Sequence, residues 1–472
     1  MSTQEGKRGR SVTVVTVAVM ALLTGVAIGR FVTFEPAGAP VESVVVAGAL
    51  EDRVATLERA VEADPADLES WQALGIAYTQ RAFEVGDPAF YTLAARALDR
   101  AEALDPDAAG TLLGRGHLAL ALHDFAEARE YGQRARTLRP HSAEILGVLV
   151  DAAVELGDYE AAGEHLQDML DRRPGLPALA RTAYLRELHG DLSGAVEAMR
   201  RAESAGSGSV FDVATVQALL GDLHVERGAL DDAQAAYQRA LDASPGIVAG
   251  DVGLARVEAI RGDMGAAIER LTAVVDRFPQ PDAVILLGEL HSHVGDEDRA
   301  RQQYALARTI ARLQEDAGQN IDLELALYEA DRGDDPDRAV ELARQAYDAR
   351  PENVYAADAL AWALLRAGRA EEAVPYMEDA LRLGSADPLV RYHAAEVFAA
   401  TGDAERAGLE LAAALDRNPW FSFAHRERVV ELADRLGLAD RLGLADRLGL
   451  ADRLGLADRL GLAASATAQG TL

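Results

Sequence analysis

The chain has 472 residues, of which 49% are hydrophobic and 5% aromatic, so it is long enough for several domains and apolar enough to bury an extended core of small aliphatic side chains. It has no cysteine, which excludes disulfides, thiolate metal sites and lipid attachment to cysteine. The formal net charge of −30 opposes binding to nucleic acid or to anionic lipid surfaces, so no nucleic-acid partner is expected.

The N-terminal residues predict a membrane anchor. Residues 11–29 contain no charged side chain, and as a helix they span about 28 Å, close to the thickness of the bilayer hydrocarbon. Lys7, Arg8 and Arg10 precede this run, so residues 1–10 are expected in the cytoplasm and the chain after residue 29 outside it. The sequence thus predicts a single-pass inner (cytoplasmic) membrane protein in which residues 30–49 form a linker.

A cleaved signal peptide is the alternative interpretation of the same residues. Ala37-Gly38-Ala39 resembles a small-x-small cleavage site, but Pro40 follows it directly and disfavours cleavage. The apolar run is also longer than the usual central region of a signal peptide. An uncleaved transmembrane anchor is therefore the favoured interpretation.

From residue 50 onward the chain repeats a pattern of two helices joined by a turn. Residues 50–65 predict one capping helix, and about ten helix–turn–helix units follow over residues 68–419. Proline ends the second helix of most units because it cannot donate the next helical hydrogen bond. These prolines stand at positions 65, 106, 140, 174, 245, 279, 351 and 419, with several neighbours 34 residues apart. One such pair cannot bury its apolar face alone, so the predicted fold is an all-α solenoid of stacked pairs.

Two further features of the repeat carry a family resemblance. A small residue recurs where the paired helices are expected to cross, at Ala94, Ala128, Ala162, Ala195, Ala233, Ala267, Ala300, Ala339, Ala373 and Ala407. In the first unit, Trp71, Leu74, Gly75 and Tyr78 form a Trp-x2-Leu-Gly-x2-Tyr signature. A 34-residue period with this pattern resembles the tetratricopeptide repeat (TPR) family over residues 68–419.

Departures from the period are expected to be loops or lengthened helices. The first unit is long, with its extra residues at 81–91, and further insertions lie at 204–209 and between Arg312 and Asn320. The long first unit with its Gly86-Asp87-Pro88 turn is similar to that of a group of bacterial membrane-anchored members of the family.

The C-terminal residues predict a cap followed by a short tandem repeat. Residues 420–433 are expected to form a last helix whose Trp420, Phe421 and Phe423 cover the end of the core. The hexapeptide ADRLGL then repeats five times over residues 433–462. A six-residue period spreads leucines around a helix, whereas a strand keeps them on one face, so a marginal helix is favoured but a β interpretation stays open. Residues 463–472 are expected to be disordered.

The family resemblance also implies a binding groove lined by the first helix of each pair. Its groove positions give acidic residues in the middle repeats, which are Glu144, Asp151, Glu155, Glu187, Asp222, Glu226 and Glu289. In later repeats they give aromatic residues with acids between them, which are Tyr328, Tyr355, Trp362 and Tyr392 with Glu324, Asp358 and Glu396. The lysine and asparagine clamp that some members use for a C-terminal carboxylate is absent, so a basic or aromatic-containing peptide is the expected ligand. Two alternatives stay open: the aromatics pack between repeats, and the acids belong to a generally acidic surface.

The sequence gives no pattern typical of an enzyme. It has no glycine-rich phosphate loop, nucleophile elbow or metal-ligand cluster, and no cofactor is expected. His291 and His293 point in different directions on a helix, and the aspartates of 331–337 lack the spacing of a calcium loop. The predicted function is a membrane-anchored scaffold or adaptor that mediates protein–protein interactions in the cell envelope. The alternative is a regulatory or substrate-presenting subunit of a membrane protease or transporter.

Overall fold

The computed structural model describes residues 49–205 and 210–438, which form 22 α-helices and no strand. The helices are α1 (Ala49–Ala63), α2 (Leu68–Val85), α3 (Ala89–Leu104), α4 (Ala109–Ala121), α5 (Phe125–Leu138), α6 (Ala143–Glu155), α7 (Tyr159–Arg172), α8 (Leu176–Leu188), α9 (Leu192–Ser204), α10 (Val210–Glu226), α11 (Leu230–Ala243), α12 (Val248–Ile260), α13 (Met264–Arg277), α14 (Pro281–His293), α15 (Glu297–Asp316), α16 (Asp322–Arg332), α17 (Pro336–Ala349), α18 (Val354–Arg366), α19 (Ala370–Leu381), α20 (Pro388–Ala400), α21 (Ala404–Arg417) and α22 (Arg426–Arg435).

The predicted anchor at 11–29, nearly all of the linker at 30–49, most of the hexapeptide tract at 433–462 and the tail at 463–472 lie outside these described residues. Within the described ranges, no helix is long and apolar enough to cross a membrane.

Ten helix pairs, from α2–α3 to α20–α21, form the body of the molecule, and each helix packs most closely on the partner of its own pair. Helix α1 packs on α2 at the N-terminal end. This arrangement confirms the predicted all-α solenoid. The alanines expected at the helix crossings are all inaccessible to solvent, from Ala94 in the first pair to Ala407 in the last.

Close approach within a pair depends on the small residue of the first helix. A Cβ atom on Gly75 would lie 2.6 Å from Cγ of Leu98, and one on Gly221 would lie 2.5 Å from the ring of Tyr237. Only glycine lets the large side chain of the second helix sit directly on the backbone of the first.

A Gly-Asp turn joins the two helices in most pairs, and α6–α7 is typical. Gly157 adopts the left-handed conformation (φ 82°) that ends a helix, and the side chain of Asp158 accepts a hydrogen bond from the Ala161 amide at 3.2 Å. In the turn at 331–337, the Asp335 side chain caps α17 in the same way and accepts from the Arg338 amide at 3.1 Å.

The insertions lengthen helices and shift the repeat. The extra residues of the first unit extend α2 to 18 residues, and those near Arg312 extend α15 to 20 residues. The last helix also differs from expectation, because it begins at Arg426 and not at residue 420. Local hydrogen bonds hold residues 418–425 in a non-helical path, with the Asn418 side chain accepting from the Trp420 amide at 2.9 Å.

The solenoid winds tightly enough for one superhelical turn to rest on the one before it. The Asn320 amide donates to the Leu122 carbonyl at 2.9 Å, and the Asn353 side chain donates to the Glu155 carbonyl at 2.9 Å. In the same register, the Val354 amide donates to the Tyr159 hydroxyl at 3.1 Å. We call this contact between superhelical turns the seam, and it repeats with an offset of about 195 residues.

Candidate functional site

The first helices of the later pairs bring their polar and aromatic side chains to one cluster on the concave face. Trp362 of α18 is fully buried there, and its Nε1 donates a hydrogen bond to Oδ1 of Asp331 in α16 at 2.8 Å. The other carboxylate oxygen of Asp331 lies 3.4 Å from Nε2 of His425. The carboxylate thus joins two pairs of the solenoid to the C-terminal residues.

His393 of α20 stacks on Trp362, with ring centroids 4.0 Å apart and an interplanar angle of 16°. Its Nδ1 lies 3.0 Å from both carboxylate oxygens of Asp358 in α18. Burial acts to lower the pKa of His393, but the Asp358 carboxylate outweighs it and the net shift is upward. The Asp358 carboxylate therefore makes the His393 ring easier to protonate than a free histidine.

Tyr392 and Glu396 lie one helical turn apart on α20. The Tyr392 hydroxyl donates to Oε1 of Glu396 at 3.0 Å, and both residues are buried. Burial, together with the Glu396 carboxylate, raises the pKa of Tyr392 above its ordinary value, so the hydroxyl stays protonated and acts as a donor. This leaves Oε2 of Glu396 for other donors.

The chain's own C-terminal segment, residues 418–438, covers this cluster. Phe421 and His425 lie against the Tyr392 ring, with centroids 5.5 and 5.2 Å away. Arg428 and Arg435 approach the two oxygens of Glu396 at 3.7 and 3.4 Å. The concave face of α18 and α20 therefore holds a stretch of polypeptide that contains aromatic residues and arginines.

The segment also crosses to earlier pairs. The Phe423 ring packs edge-on against His293 of α14 at 6.0 Å, and Arg426 Nη1 lies 3.4 Å from His293 Nε2. Burial acts to raise the pKa of Asp331, but His425, with Arg332 and His393, holds it well below its ordinary value. Asp331 is thus ionised at neutral pH and attracts the imidazole of the segment.

Two predicted groove aromatics lie in neighbouring parts of the interior. Tyr328 is buried, and its hydroxyl donates to the Tyr304 carbonyl at 3.1 Å. Burial raises the pKa of Tyr355 well above its ordinary value, and Asp387, Glu187 and Glu226 act in the same direction. Tyr355 on α18 therefore faces helices of the preceding superhelical turn.

Two of the remaining predicted acids, Asp222 and Glu289, contact arginines of neighbouring first helices. Asp222 accepts a hydrogen bond from the Tyr237 hydroxyl at 2.7 Å and lies 3.7 Å from Arg256. Glu289 accepts from Arg332 at 2.6 Å. Asp222 and Glu226, on α10, are not brought into the cluster around Trp362.

The sequence left open whether the groove aromatics form a ligand surface or pack between repeats. Trp362 and Tyr392 are inaccessible to solvent, so in this conformation they pack internally under the C-terminal segment. Their contact with an external partner stays a prediction. Glu324, mapped to an equivalent position, is also buried and lies in the seam, 3.8 Å from Nδ1 of His123.

Sequence reasoning missed the contributions of Asp331, His393, His425, Arg428 and Arg435. Asp331 lies on α16 at an expected groove position but was not singled out, and His393 lies on α20 off those positions. His425 and Arg428 belong to the predicted cap at 420–433, whose aromatics followed by arginines match the ligand chemistry expected for the groove, and Arg435 belongs to the hexapeptide tract. This match in composition could have indicated, from the sequence alone, that the cap docks in the groove. No group of three or more His, Cys, Asp or Glu side chains in the described ranges is arranged to hold a metal ion.

Comparisons with known proteins agree with this architecture. Two family models described as tetratricopeptide repeat match the chain, one at residues 119–183 and the other at 89–143, 218–269, 254–315, 323–388 and 359–420. Together they cover more than half of the chain. No curated protein sequence matches it significantly.

The solved structures that match the chain are distant in sequence. A thermophilic TPR protein of Thermus thermophilus is 21% identical, covering 40% of this chain and 99% of its own, with a TM-score of 0.36. A tetratricopeptide repeat protein of Parabacteroides merdae is 18% identical, covering 56% and 98%, with a TM-score of 0.33. The human IFIT1 dimer with m7Gppp-AAAA is 16% identical, covering 71% and 77%, with a TM-score of 0.45.

Proposed function

The chain belongs to the tetratricopeptide repeat family, and we propose that it is a membrane-anchored scaffold that assembles protein partners in the cell envelope through the concave face of its solenoid. Repeats of this family generally mediate protein–protein interaction and scaffolding. The concave face as the binding surface and the cell envelope as the compartment are what we propose beyond this family property.

The contacts of Glu396 support the concave face as the binding surface. Glu396, beside the buried Tyr392, lies within ion-pair distance of two arginines of an aromatic-containing segment, Arg428 and Arg435. The concave face thus holds a segment that contains aromatic residues and arginines, which supports a partner of similar side-chain chemistry. Aromatic anchors flanked by charged pairs are the arrangement that gives protein interfaces most of their affinity and selectivity.

The uncharged run at residues 11–29, preceded by three basic residues, supports the anchor and an extracytoplasmic solenoid. Deleting residues 1–30 is expected to move the protein from the membrane fraction to the soluble fraction. A protein that stays with the membrane after this deletion, and after a carbonate wash, would contradict the anchor.

Site-specific photo-crosslinking in native membranes tests the face. A photoreactive residue is placed at Glu226, half-buried on the first helix α10, and for comparison at Leu409, which is 66% exposed on the second helix α21. We expect the position at 226 to capture a defined protein that the position at 409 does not. Capture of the same proteins from both positions, or of none from 226, would reject the concave face.

The captured protein also separates the two candidate functions. A structural envelope protein in fixed stoichiometry supports the scaffold, whereas a protease or a transporter supports the regulatory or substrate-presenting subunit. Because the described acids face the interior, capture from position 226 is expected to weaken as ionic strength rises.

A further inference from the structure

The C-terminal segment lies in the place that a bound peptide would take. It crosses four consecutive pairs, contacting His293 of α14, Asp331 of α16, Trp362 of α18 and Glu396 of α20. A terminal cap needs to cover only the last pair. The path of this segment is therefore longer than capping requires.

We propose that the concave face of α14–α20 is a docking site for a partner segment that carries two or three aromatic residues followed by arginines, and that residues 418–438 are its resident competitor. This inference rests on the proposed function and deepens it, because it names the chemistry of the partner and the event that admits it. Binding of the partner requires the resident segment to leave.

The aromatic rings and carboxylates of the concave face determine which side chains the partner segment must carry. The rings of Trp362 and Tyr392 meet His425 at 5.5 and 5.2 Å, so a flat ring is required at this point. Asp331 and Glu396 lie on either side and select hydrogen-bond donors and positive groups, which His425, Arg428 and Arg435 supply in the resident segment. An acidic partner would bring like charges together and is excluded.

The resident segment is held by the apolar face of α22 and by weaker charged contacts. Val430 and Leu432 of α22 are buried in the core of the later pairs. The side chains of Arg428 and Arg435 are 40% and 61% exposed, and ion pairs of that exposure contribute little stability and are screened by salt. The segment is thus attached mainly through apolar and aromatic contacts, and its release requires a change in the apolar face of α22.

The face also retains a buried polar atom that the resident segment does not use. Nε2 of His393 is buried beside Trp362 and makes no hydrogen bond within the described residues. An incoming segment can supply its partner, which is a carbonyl group for the protonated ring and an amide group for the neutral ring. A partner segment that makes this hydrogen bond gains a contact over the resident segment, which allows exchange despite the advantage of a covalently tethered ligand.

Competition in trans tests the proposal on the full chain. The probe is a fluorescently labelled synthetic peptide of residues 418–438, and its binding is followed by fluorescence anisotropy. The release variant carries Val430→Asp, which places a charge in the buried face of α22, together with Arg428→Gln and Arg435→Gln, and the peptide keeps the natural sequence. The control variant carries Arg338→Gln and Arg369→Gln, partly exposed arginines that each pair with an acid three residues further along the chain.

We expect the peptide to bind the release variant at least tenfold more tightly than it binds the wild type or the control variant. Adding Glu396→Gln to the release variant is expected to reduce that affinity several-fold. Hydrogen exchange of residues 426–435, together with unchanged helical circular dichroism, verifies that the variant has released the segment and kept its fold. If the segment stays protected, His425→Asn is added and the titration is repeated.

Equal peptide affinity for the wild type and the release variant, or no binding to a variant that has released its segment, would overturn the proposal. Dimerisation of the release variant by exchange of segments, without peptide binding, would overturn it as well, since the occupant would be a second copy of this chain. In either case, specific crosslinking from position 226 would still support the proposed scaffold function, so the two failures are distinguishable.

Discussion

Glu155 and Arg350 lie 195 residues apart in the chain, and Nη1 of Arg350 donates to Oε2 of Glu155 at 3.4 Å in the buried seam between two superhelical turns. Both side chains are less than a tenth exposed. A buried ion pair of this kind adds little net stability compared with apolar residues, but the loss of one partner leaves an uncompensated charge. The seam is therefore sensitive to single substitutions.

Arg350→Met is expected to destabilise the seam by about 3 kcal/mol because Glu155 is left buried without its guanidinium. The Val354 amide, which donates across the seam to Tyr159, reports the change through faster hydrogen exchange. Arg338→Met, which breaks an exposed pair with Glu341, is the control and is expected to cost less than about 1 kcal/mol. Equal exchange of Val354 in both variants would contradict a stabilising role for the seam.

Two turn glycines provide a matched test of the seam between superhelical turns. Gly157 and Gly262 both have left-handed backbones (φ 82° and 91°), so alanine costs a similar strain of about 1 kcal/mol at each. A Cβ on Gly157 would overlap the backbone of Glu352, whereas one on Gly262 meets nothing within 4 Å. Gly157→Ala is therefore expected to lose a further 1–3 kcal/mol, about the cost of overpacking, in chemical denaturation. Similar losses at the two positions would mean that the turns do not touch in solution.

The seam is also expected to loosen as pH rises. Burial raises the pKa of Glu155 to about 7 and that of Glu324 to about 7, against the opposing effect of Arg350. Because both values lie above the ordinary 4.5 of the unfolded chain, the folded state binds more protons between these limits. Their stabilising contribution is complete below about pH 4.5 and is lost as the pH rises through about 7, by up to about 1.4 kcal/mol per pH unit for each carboxyl.

Glu324→Gln isolates this effect from the histidines. Burial lowers the pKa of His123 to about 4, and a neutral buried histidine opposes the carboxyls below about pH 6.5. The difference in unfolding free energy between the wild type and Glu324→Gln cancels the histidine contribution. We expect that difference to shift in favour of the variant from about pH 5 to about pH 8, and a constant difference would show that Glu324 titrates normally.

The repeats could be predicted from the sequence because their determinants are local. Pro, Gly-Asp and Ala recur within one 34-residue unit, and each acts on the helix that contains it or on its immediate partner. The signature around Trp71 and Gly75 correctly indicated how the pair α2–α3 packs. The mapping of groove positions also placed Trp362, Tyr392 and Glu396 on inner helices.

The seam and the position of the C-terminal segment could not be predicted in this way. Both join residues that are far apart in the chain, such as Arg350 with Glu155 or Arg426 with His293, and their meeting depends on small rotations added over several pairs. The aromatic and basic residues of 420–435 were visible in the sequence as a cap. Their docking against Trp362 follows only from the tight superhelical winding.

Trp362→Phe tests the hydrogen bond at the centre of the cluster. Phenylalanine keeps a ring against His393 but removes the Nε1 donor from the buried carboxylate of Asp331. We expect a loss of about 1–3 kcal/mol in unfolding free energy, the cost of an unsatisfied buried acceptor, with faster hydrogen exchange of residues 426–435. Trp362→Ala also leaves a cavity, for which the expected loss is about 3–5 kcal/mol.

Trp71→Phe is the matched control, because Nε1 of Trp71 donates to the Pro65 carbonyl at 3.1 Å in an exposed position. Water can replace that donor, so the expected loss is below about 1 kcal/mol, and residues 426–435 keep their protection. If hydrogen exchange of the C-terminal segment is as slow in Trp362→Phe as in Trp71→Phe, Asp331 holds the segment without help from the Trp362 indole hydrogen bond. The segment would then be held by its other contacts, which include Phe421 on Tyr392 and the buried Val430 and Leu432 of α22.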